Sequence, residues 1–303
     1  TDASVSRPVL DSWKGVVVSN GINPLYGELD PYWMAANAIE ESLRNLVSVG
    51  GDPRRTAILD NFCWGNVHDE QVLGALVRCS QACYDYAMAF GVPFISGKDS
   101  LNNTWRDASG RISSIPGTLL ISAIGVIQDA RKCVTSDFKS AGNTIALLGE
   151  TKDEMGGSHY NFISGVQGGS VPKVNAKTSL QSMLQIHKAV QSGLVRSCHD
   201  LSEGGLGVGL AEMTLGSGLG ASIKVSGQQK PEVQIFSESS GRWVIEFKPS
   251  DLGRIRKIFK GVPVTVLGKV QKTPYLEIKA GKTKIKMNVR EISKAWNAFS
   301  EKQ

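Results

Sequence analysis

The stretch Val92-Pro93-Phe94-Ile95-Ser96-Gly97-Lys98-Asp99-Ser100-Leu101-Asn102-Asn103 constrains the chain most. An apolar run breaks into small residues, and a Lys, an Asp, a Ser and two Asn follow within six positions. A strand ending in such a turn presents backbone N–H groups, a cation and a carboxylate at one edge of a sheet. That chemistry suits a magnesium–phosphate group: Lys98 toward phosphate, Asp99 toward the metal, and Ser100 offering a hydroxyl. A polar hairpin turn is the other reading, because Gly-Lys-Asp-Ser lacks the spacing of a Walker loop.

A chain of 303 residues, 41% hydrophobic with 33 glycines, has room for two domains that each build a core. The net charge of +6 suits phosphorylated small molecules. The basic residues thicken only near the C-terminus (Lys248, Arg254, Arg256, Lys257, Lys260, then Lys279, Lys282, Lys284, Lys286), which reads as a solvated face rather than a nucleic-acid patch. Five cysteines (Cys63, Cys79, Cys83, Cys133 and Cys198) are odd in number and form no CxxC, so reduced thiols and a cytoplasmic location are expected. No apolar run reaches the length of about 18 residues that a membrane span needs. The chain opens Thr1-Asp2-Ala3-Ser4 without a methionine, as an excised piece of a longer protein would.

Val16–Ser19 reads as a short strand. Asp30-Pro31 starts a helix, with Asp as N-cap and Pro in the first position, and its apolar spacing runs to about Val49. Glu41 and Asn45 are four apart and share a helical face, where they ligate magnesium or form a solvated pair. Thr56–Asn61 reads as a strand ending in Asp60-Asn61, a common place for a metal or nucleotide ligand. A long helix follows from Asp69 to Gly91. A hairpin tip is expected at Asp107-Ala108-Ser109-Gly110, and Thr118–Ile127 is apolar enough for a buried strand.

A boundary is expected near Thr135–Asn143, dividing an N-terminal domain, 1–138, from a C-terminal one, 139–303. Thr144–Thr151 is a fresh strand and turn, and Ser179–Ser192 a helix carrying His187. His199-Asp200-Leu201-Ser202-Glu203-Gly204-Gly205 reads as a second charged, glycine-rich turn, opening a helix over Val208–Thr214. Asp200 and Glu203 there hold magnesium beside phosphates or cap the helix. No nucleophile motif such as GxSxG accompanies His199. A strand over Trp243–Phe247, a helix over Asp251–Phe259, a strand over Val264–Gly268 and a last helix over Glu291–Phe299 complete the expectation.

Six motifs in this order resemble phosphoribosylformylglycinamidine synthase, and its second half in particular. They are Glu41…Asn45, Ala57-Ile58-Leu59-Asp60-Asn61-Phe62-Cys63-Trp64-Gly65-Asn66, Pro93…Gly97-Lys98-Asp99-Ser100-Leu101, Gly149-Glu150-Thr151-Lys152, His199–Leu206 and Phe236-Ser237-Glu238-Ser239. The resemblance covers nearly the whole chain. It implies an α/β (α+β) unit like aminoimidazole ribonucleotide synthetase, whose N-terminal sheet pairs with a second unit and whose C-terminal α/β domain packs beside it. It implies an ATP-dependent C–N ligase that uses ammonia from a glutaminase subunit or domain to convert formylglycinamide ribonucleotide to the amidine, with ATP/ADP and Mg2+ as cofactors.

By motif, Asp60 and Gly97 correspond to ATP-contacting positions, Lys98 or Asp99 to the metal-contacting turn, and Ser100 to a substrate contact. Small-type members often carry Gly-Asn-Val-Ser at this turn, and against that pattern Asp99 is the better metal candidate. Glu41, Asn45 and Asp200 match positions that hold magnesium at an auxiliary nucleotide in large-type members. Glu238-Ser239-Ser240 departs at Ser240 from the Glu-Ser-Gln of the first half. The family's catalytic histidine belongs to that first half, so the chain is expected to need an N-terminal partner unit and to homodimerise alone. A stand-alone homodimeric kinase or synthetase, and a structural nucleotide-binding module, are the alternatives.

Overall fold

Two sheets account for most of the backbone pairing. The structure, a computed structural model, describes residues 1–298. In the first part run β1 (Ser4–Ser6), β2 (Gly15–Ile22), the single-turn α1 (Pro24–Gly27), α2 (Pro31–Ser48), β3 (Thr56–Cys63), α3 (Glu70–Phe90), β4 (Phe94–Ser100), the small hairpin β5 (Thr104–Arg106) and β6 (Ile112–Ser114), and β7 (Thr118–Ile127). The sheet order is β1-β2-β7-β3-β4, antiparallel except for the parallel pair β3–β4 at one edge.

Side-chain alternation gives this sheet two unlike faces. Val17, Ser19, Ile58, Leu119, Ile121 and Ala123 turn inward under α2 and α3. The Asp30 carboxylate accepts from the Tyr32 amide at 3.0 Å to start α2, and Asp69 accepts from Gln71 and Val72 to start α3. Gly91 closes α3 at φ +67°. α2 lies so close to β2 that a Cβ on Gly21 would sit 2.1 Å from the Ala38 carbonyl oxygen. The opposite face carries Val18, Ile22 and Ile124, 43, 37 and 39% exposed. The apolar strand Thr118–Ile127 is therefore buried on one face only.

The second part runs β8 (Thr144–Leu148), α4 (His159–Ser164), α5 (Ala176–Gln191), β9 (Val195–Asp200), α6 (Gly205–Leu215), β10 (Gly220–Val225), α7 (Pro231–Phe236), β11 (Trp243–Phe247), α8 (Leu252–Ile258), β12 (Val264–Gln271), β13 (Tyr275–Ala280), β14 (Thr283–Asn288) and α9 (Val289–Asn297). Its seven strands are ordered β14-β13-β10-β12-β8-β11-β9. One core joins α2, α3 and α5 across the two parts, and a second lies among α6, β10, β12 and β13. Phe299, the expected end of the last helix, lies outside the described residues.

Three local expectations change. Gly97-Lys98-Asp99-Ser100 is not a turn but the second half of β4, because its backbone pairs in register with β3. Asp60 and Asn61 lie inside β3, which continues to Cys63. Asp200 ends β9, and α6 begins at Gly205 with Gly204 as its N-cap, so neither Asp200 nor Glu203 caps the helix by its side chain.

Candidate functional site

The first group of expected residues lies along the β3–β4 edge. The parallel register sets Asp60 beside Gly97, Asn61 beside Lys98, Phe62 beside Asp99 and Cys63 beside Ser100. Alternation then separates what a turn would have gathered. Asp60, Gly97 and Asp99 share the helix-facing side with buried Phe62. Lys98 and Ser100 share the other side, where the Lys98 ammonium donates to Ser100 Oγ at 2.8 Å. One ligand on one face therefore meets either Asp99 or the Lys98–Ser100 pair.

Gly97 has a steric reason to be glycine. A Cβ there would lie 2.7 and 2.8 Å from the two Asp60 carboxylate oxygens, so only hydrogen leaves the Asp60 side chain its place across β4. Burial raises the Asp60 pKa above the ordinary carboxylate range and the Asp99 charge adds to the rise, while the Lys98 backbone amide opposes it. Beside Asp60 opens a cavity of about 650 Å3, lined by Phe62, Phe94 and the α3 residues Ser80, Tyr84 and Met88. It is mainly apolar with a carboxylate on its wall, and its size is that of a small-molecule pocket.

The second group meets where α2 passes the end of β9. The Arg44 guanidinium is buried between Asp200, with Nε 3.1 Å from Oδ2, and Glu40, with Nη1 2.8 Å from Oε2. Glu41 Oε2 accepts from the Ile22 amide at 3.1 Å and from the Asn23 side chain at 2.7 Å. Asn45, on the same helix face, turns its amide to the Asn20 carbonyl at 2.9 Å. Glu238 ties three segments together, accepting from the Gly204 amide, the His159 amide and the Tyr26 hydroxyl at 2.7, 2.9 and 2.7 Å. Ser240, where the motif departs from its first-half counterpart, donates to Asn37.

The electrostatics of this junction are dominated by excess negative charge. Burial, then the charge of Glu203, pushes Glu41 well above the carboxylate range. Asp200 is raised to about 6 by burial, with Asp2 and Glu203 raising it against the pull of Arg44.

Sequence reasoning missed Asp2, Arg44 and Glu212. Asp2 Oδ1 lies 2.7 Å from His199 Nδ1, its Oδ2 accepts from the Asp200 amide at 2.9 Å, and Glu212 Oε2 lies 2.6 Å from His199 Nε2. With a carboxylate on each ring nitrogen, His199 is held as an imidazolium: burial pulls its pKa down, but Asp2 and Glu212 more than offset that. Among the described residues, Asp2, His199 and Asp200 are the one group of three such side chains whose ligand atoms lie within 4.8 Å of one another. The Glu40–Arg44 spacing was legible as an i,i+4 ion pair. Asp2 gave no signal, because its partners are nearly two hundred positions away.

A buried carboxylate with a second carboxylate beside it is a donor set that a divalent cation would stabilise. By that criterion Asp60, raised by burial and by the Asp99 charge, and Glu41, raised by burial with Asp200 among its negative neighbours, fit magnesium. Asn45, directed at a backbone carbonyl, is turned away from the second set.

The chain matches the N-terminal domain of AIR synthase related proteins over residues 1–127 and their C-terminal domain over residues 140–281. It is 33% identical to the phosphoribosylformylglycinamidine synthase subunit PurL of Alkaliphilus metalliredigens, over 98% of this chain and 39% of that one. The PurL subunit of Thermococcus sibiricus is 32% identical over 98% of this chain and 41% of its own length. The chain thus spans about two-fifths of the curated relatives it matches. Among solved structures, Thermotoga maritima PurL complexed with FGAR superposes with a TM-score of 0.79 at 20% identity, over 96% of this chain and 48% of that one. The same protein complexed with ATP gives 0.71 at 20% identity, over 96% and 46%. A chain of the HypE–HypF complex gives 0.68 at 14% identity, over 90% of each.

Proposed function

The chain belongs to the AIR synthase related family, and from that premise we propose that it is the C-terminal unit of a phosphoribosylformylglycinamidine synthase. The reaction is ATP-dependent amidation in purine biosynthesis. The amide oxygen of formylglycinamide ribonucleotide takes the γ-phosphoryl group of ATP, releasing ADP. Ammonia then adds at the activated carbon, and phosphate leaves with the former amide oxygen. The amide C–O bond breaks, a C–N bond forms, and the protons shed by ammonia pass to solvent.

The observation that carries this reading is Gly97 making room for the Asp60 carboxylate beside a nucleotide-sized cavity. Asp60 and Gly97 bound the nucleotide position. Lys98 and Ser100, on the open face of the sheet, meet phosphate or substrate across the interface with the partner unit, while Asp99 joins Asp60 as the metal-facing pair. Glu41 and Asp200 form the second acidic position, which Asn45 joins by a side-chain rotation. Magnesium, when bound, neutralises phosphate charge during transfer. Residues 1–138 and 139–303 are the two domains.

The open face of the first sheet, with Val18, Ile22 and Ile124, takes the sheet of an N-terminal partner unit, or of a second copy when the chain is alone. A glutaminase subunit or domain supplies the ammonia. Its proposed location is the cytoplasm; among the described residues no helix is long and apolar enough to cross a membrane.

The test is the thermal midpoint with and without Mg-ATP and Mg-ADP. Saturating nucleotide at a hundredfold excess over Kd stabilises by about 2.7 kcal/mol. The rise is expected for the parent and lost in Asp60→Asn. No rise in the parent overturns the nucleotide site in this unit.

A further inference from the structure

Beyond that reading, we infer that the open face of the second sheet at β10, β13 and β14 is a binding site for a small, multiply phosphorylated anion. On β13, Glu277 and Lys279 point outward, and Leu276, Ile278 and Ala280 point into the core. β10 pairs with it in parallel, setting Ser222 beside Glu277 and Lys224 beside Lys279. β14 pairs antiparallel on the other side, setting Lys286 opposite Glu277 and Lys284 opposite Lys279. β12 adds Lys269 opposite Ser222. Lys224, Lys279 and Lys284 thus form one row across three adjacent strands, about 5 Å apart per strand. Lys269, Ser222, Glu277 and Lys286 form the next row, about 7 Å further along.

Like charges directly opposite each other destabilise a sheet. Within the first row itself no residue carries a compensating negative charge. Glu277 is matched to Lys286 at 2.7 Å, and among the described residues no carboxylate lies within ion-pairing distance of Lys224, Lys269, Lys279 or Lys284. The rows line an open concavity of about 660 Å3, a volume that would hold a nucleotide-sized ligand. Its basic residues are all lysines. Ammonium groups act as mobile point charges and suit the spread charge of a phosphate chain, whereas bidentate carboxylate recognition favours arginine. The face also lacks a stacking platform for nucleic-acid bases: its rim aromatic, Tyr275, already has the Lys286 ammonium 4.8 Å from the ring centre.

The experiment is calorimetric titration of the full chain with inorganic tripolyphosphate and, separately, ATP, at physiological salt with EDTA present to silence magnesium-dependent sites. Three variants isolate the face. The triple Lys224→Gln, Lys279→Gln, Lys284→Gln removes the first row. The triple Arg256→Gln, Lys257→Gln, Lys260→Gln removes equal charge from α8 and the turn after it, and Asp60→Asn disables the proposed nucleotide position. Tripolyphosphate binding is expected to weaken by about tenfold or more in the first and to hold within about twofold in the other two. Equal affinity for ATP and tripolyphosphate assigns recognition to the phosphate chain, and tighter ATP binding on the same lysines assigns it to the whole nucleotide; both outcomes support the site. Absence of binding in the parent, equal losses in the two charge-matched triples, or a single-stranded oligonucleotide outcompeting tripolyphosphate on these lysines overturns it. Loss of nucleotide stabilisation in Asp60→Asn with tripolyphosphate binding intact separates this face from the nucleotide site.

Discussion

Arg44 and Asp200 are joined through a single nitrogen, Nε to Oδ2 at 3.1 Å, with both side chains 5% exposed, and this ion pair links α2 to the end of β9. Arg44 also pairs with buried Glu40, so its removal strands two carboxylates in the interior. Breaking a buried pair by deleting one partner costs about 3–5 kcal/mol. Arg44→Met should destabilise the chain by that amount in chemical denaturation. A loss under about 1 kcal/mol would mean that water reaches the junction freely.

Gly97→Ala separates local stability from ligand binding. Gly97 has an ordinary strand conformation, so alanine adds no left-handed strain. The added methyl instead collides with the Asp60 carboxylate. Unfolding free energy should fall by about 1–3 kcal/mol, as for overpacking, while Mg-nucleotide stabilisation disappears. A variant that still gains the parent's thermal shift with nucleotide would show that Asp60 can move without leaving the site.

How much of this was legible depends on whether the signal was local. The Asp30-Pro31 start of α2, the Asp69 and Gly91 ends of α3, and the hairpin tip at Asp107–Gly110 are written in neighbouring residues, and the structure keeps them. Gly-Lys-Asp-Ser misled because small polar residues with glycine are turn punctuation. At a sheet edge they form a strand, since β3 satisfies the backbone and the side chains remain in solvent. Asp60-Asn61 misled in the same way, as polar residues inside a strand: Asn61 is on the open face of the sheet, and Asp60 is on the helix-facing side, where Gly97 leaves it room. The β10, β13 and β14 strands hid behind their lysines, whose alternation with Ile223, Ile278 and Ile285 reads as charge rather than as a sheet. The Asp2–His199–Glu212 contact is purely tertiary.

The junction should make stability fall as pH rises from mildly acidic to neutral. Asp200 has a folded pKa of about 6, above the usual aspartate value. Between the two values the folded state binds more protons than the unfolded, so its contribution is complete below pH 4 or so and is lost as pH rises through 6. Glu41 and His199, both raised, act in the same direction. Asp52, Asp107, Asp129 and Asp137 are lowered and act oppositely, but only below about pH 4. Urea unfolding should therefore give higher stability at pH 5 than at pH 7.5, by about 1.4 kcal/mol from Asp200 alone. The difference should shrink in Asp200→Asn. A stability flat or rising over that window would place these carboxylates in contact with solvent.

Under the proposed function, the open face of the first sheet is the assembly surface. Val18 and Ile124 are cross-strand partners on β2 and β7, both outward and both about two-fifths exposed. On the same face Val16 pairs with Val126 and Ile22 with Leu120, with the polar pair Asn20–Ser122 between Val18–Ile124 and Ile22–Leu120. A sheet face of this kind is stable in water when covered, and a second copy supplies a self-complementary cover through a two-fold axis. Sedimentation velocity at micromolar concentration should give a dimer for the parent. The double variant Val18→Lys, Ile124→Lys places like charges at the centre of that face and should give a monomer with little change in unfolding free energy, since neither side chain belongs to the core. A parent that sediments as a monomer would leave this face to a partner unit alone. A double variant that stays dimeric would move the interface elsewhere on the molecule.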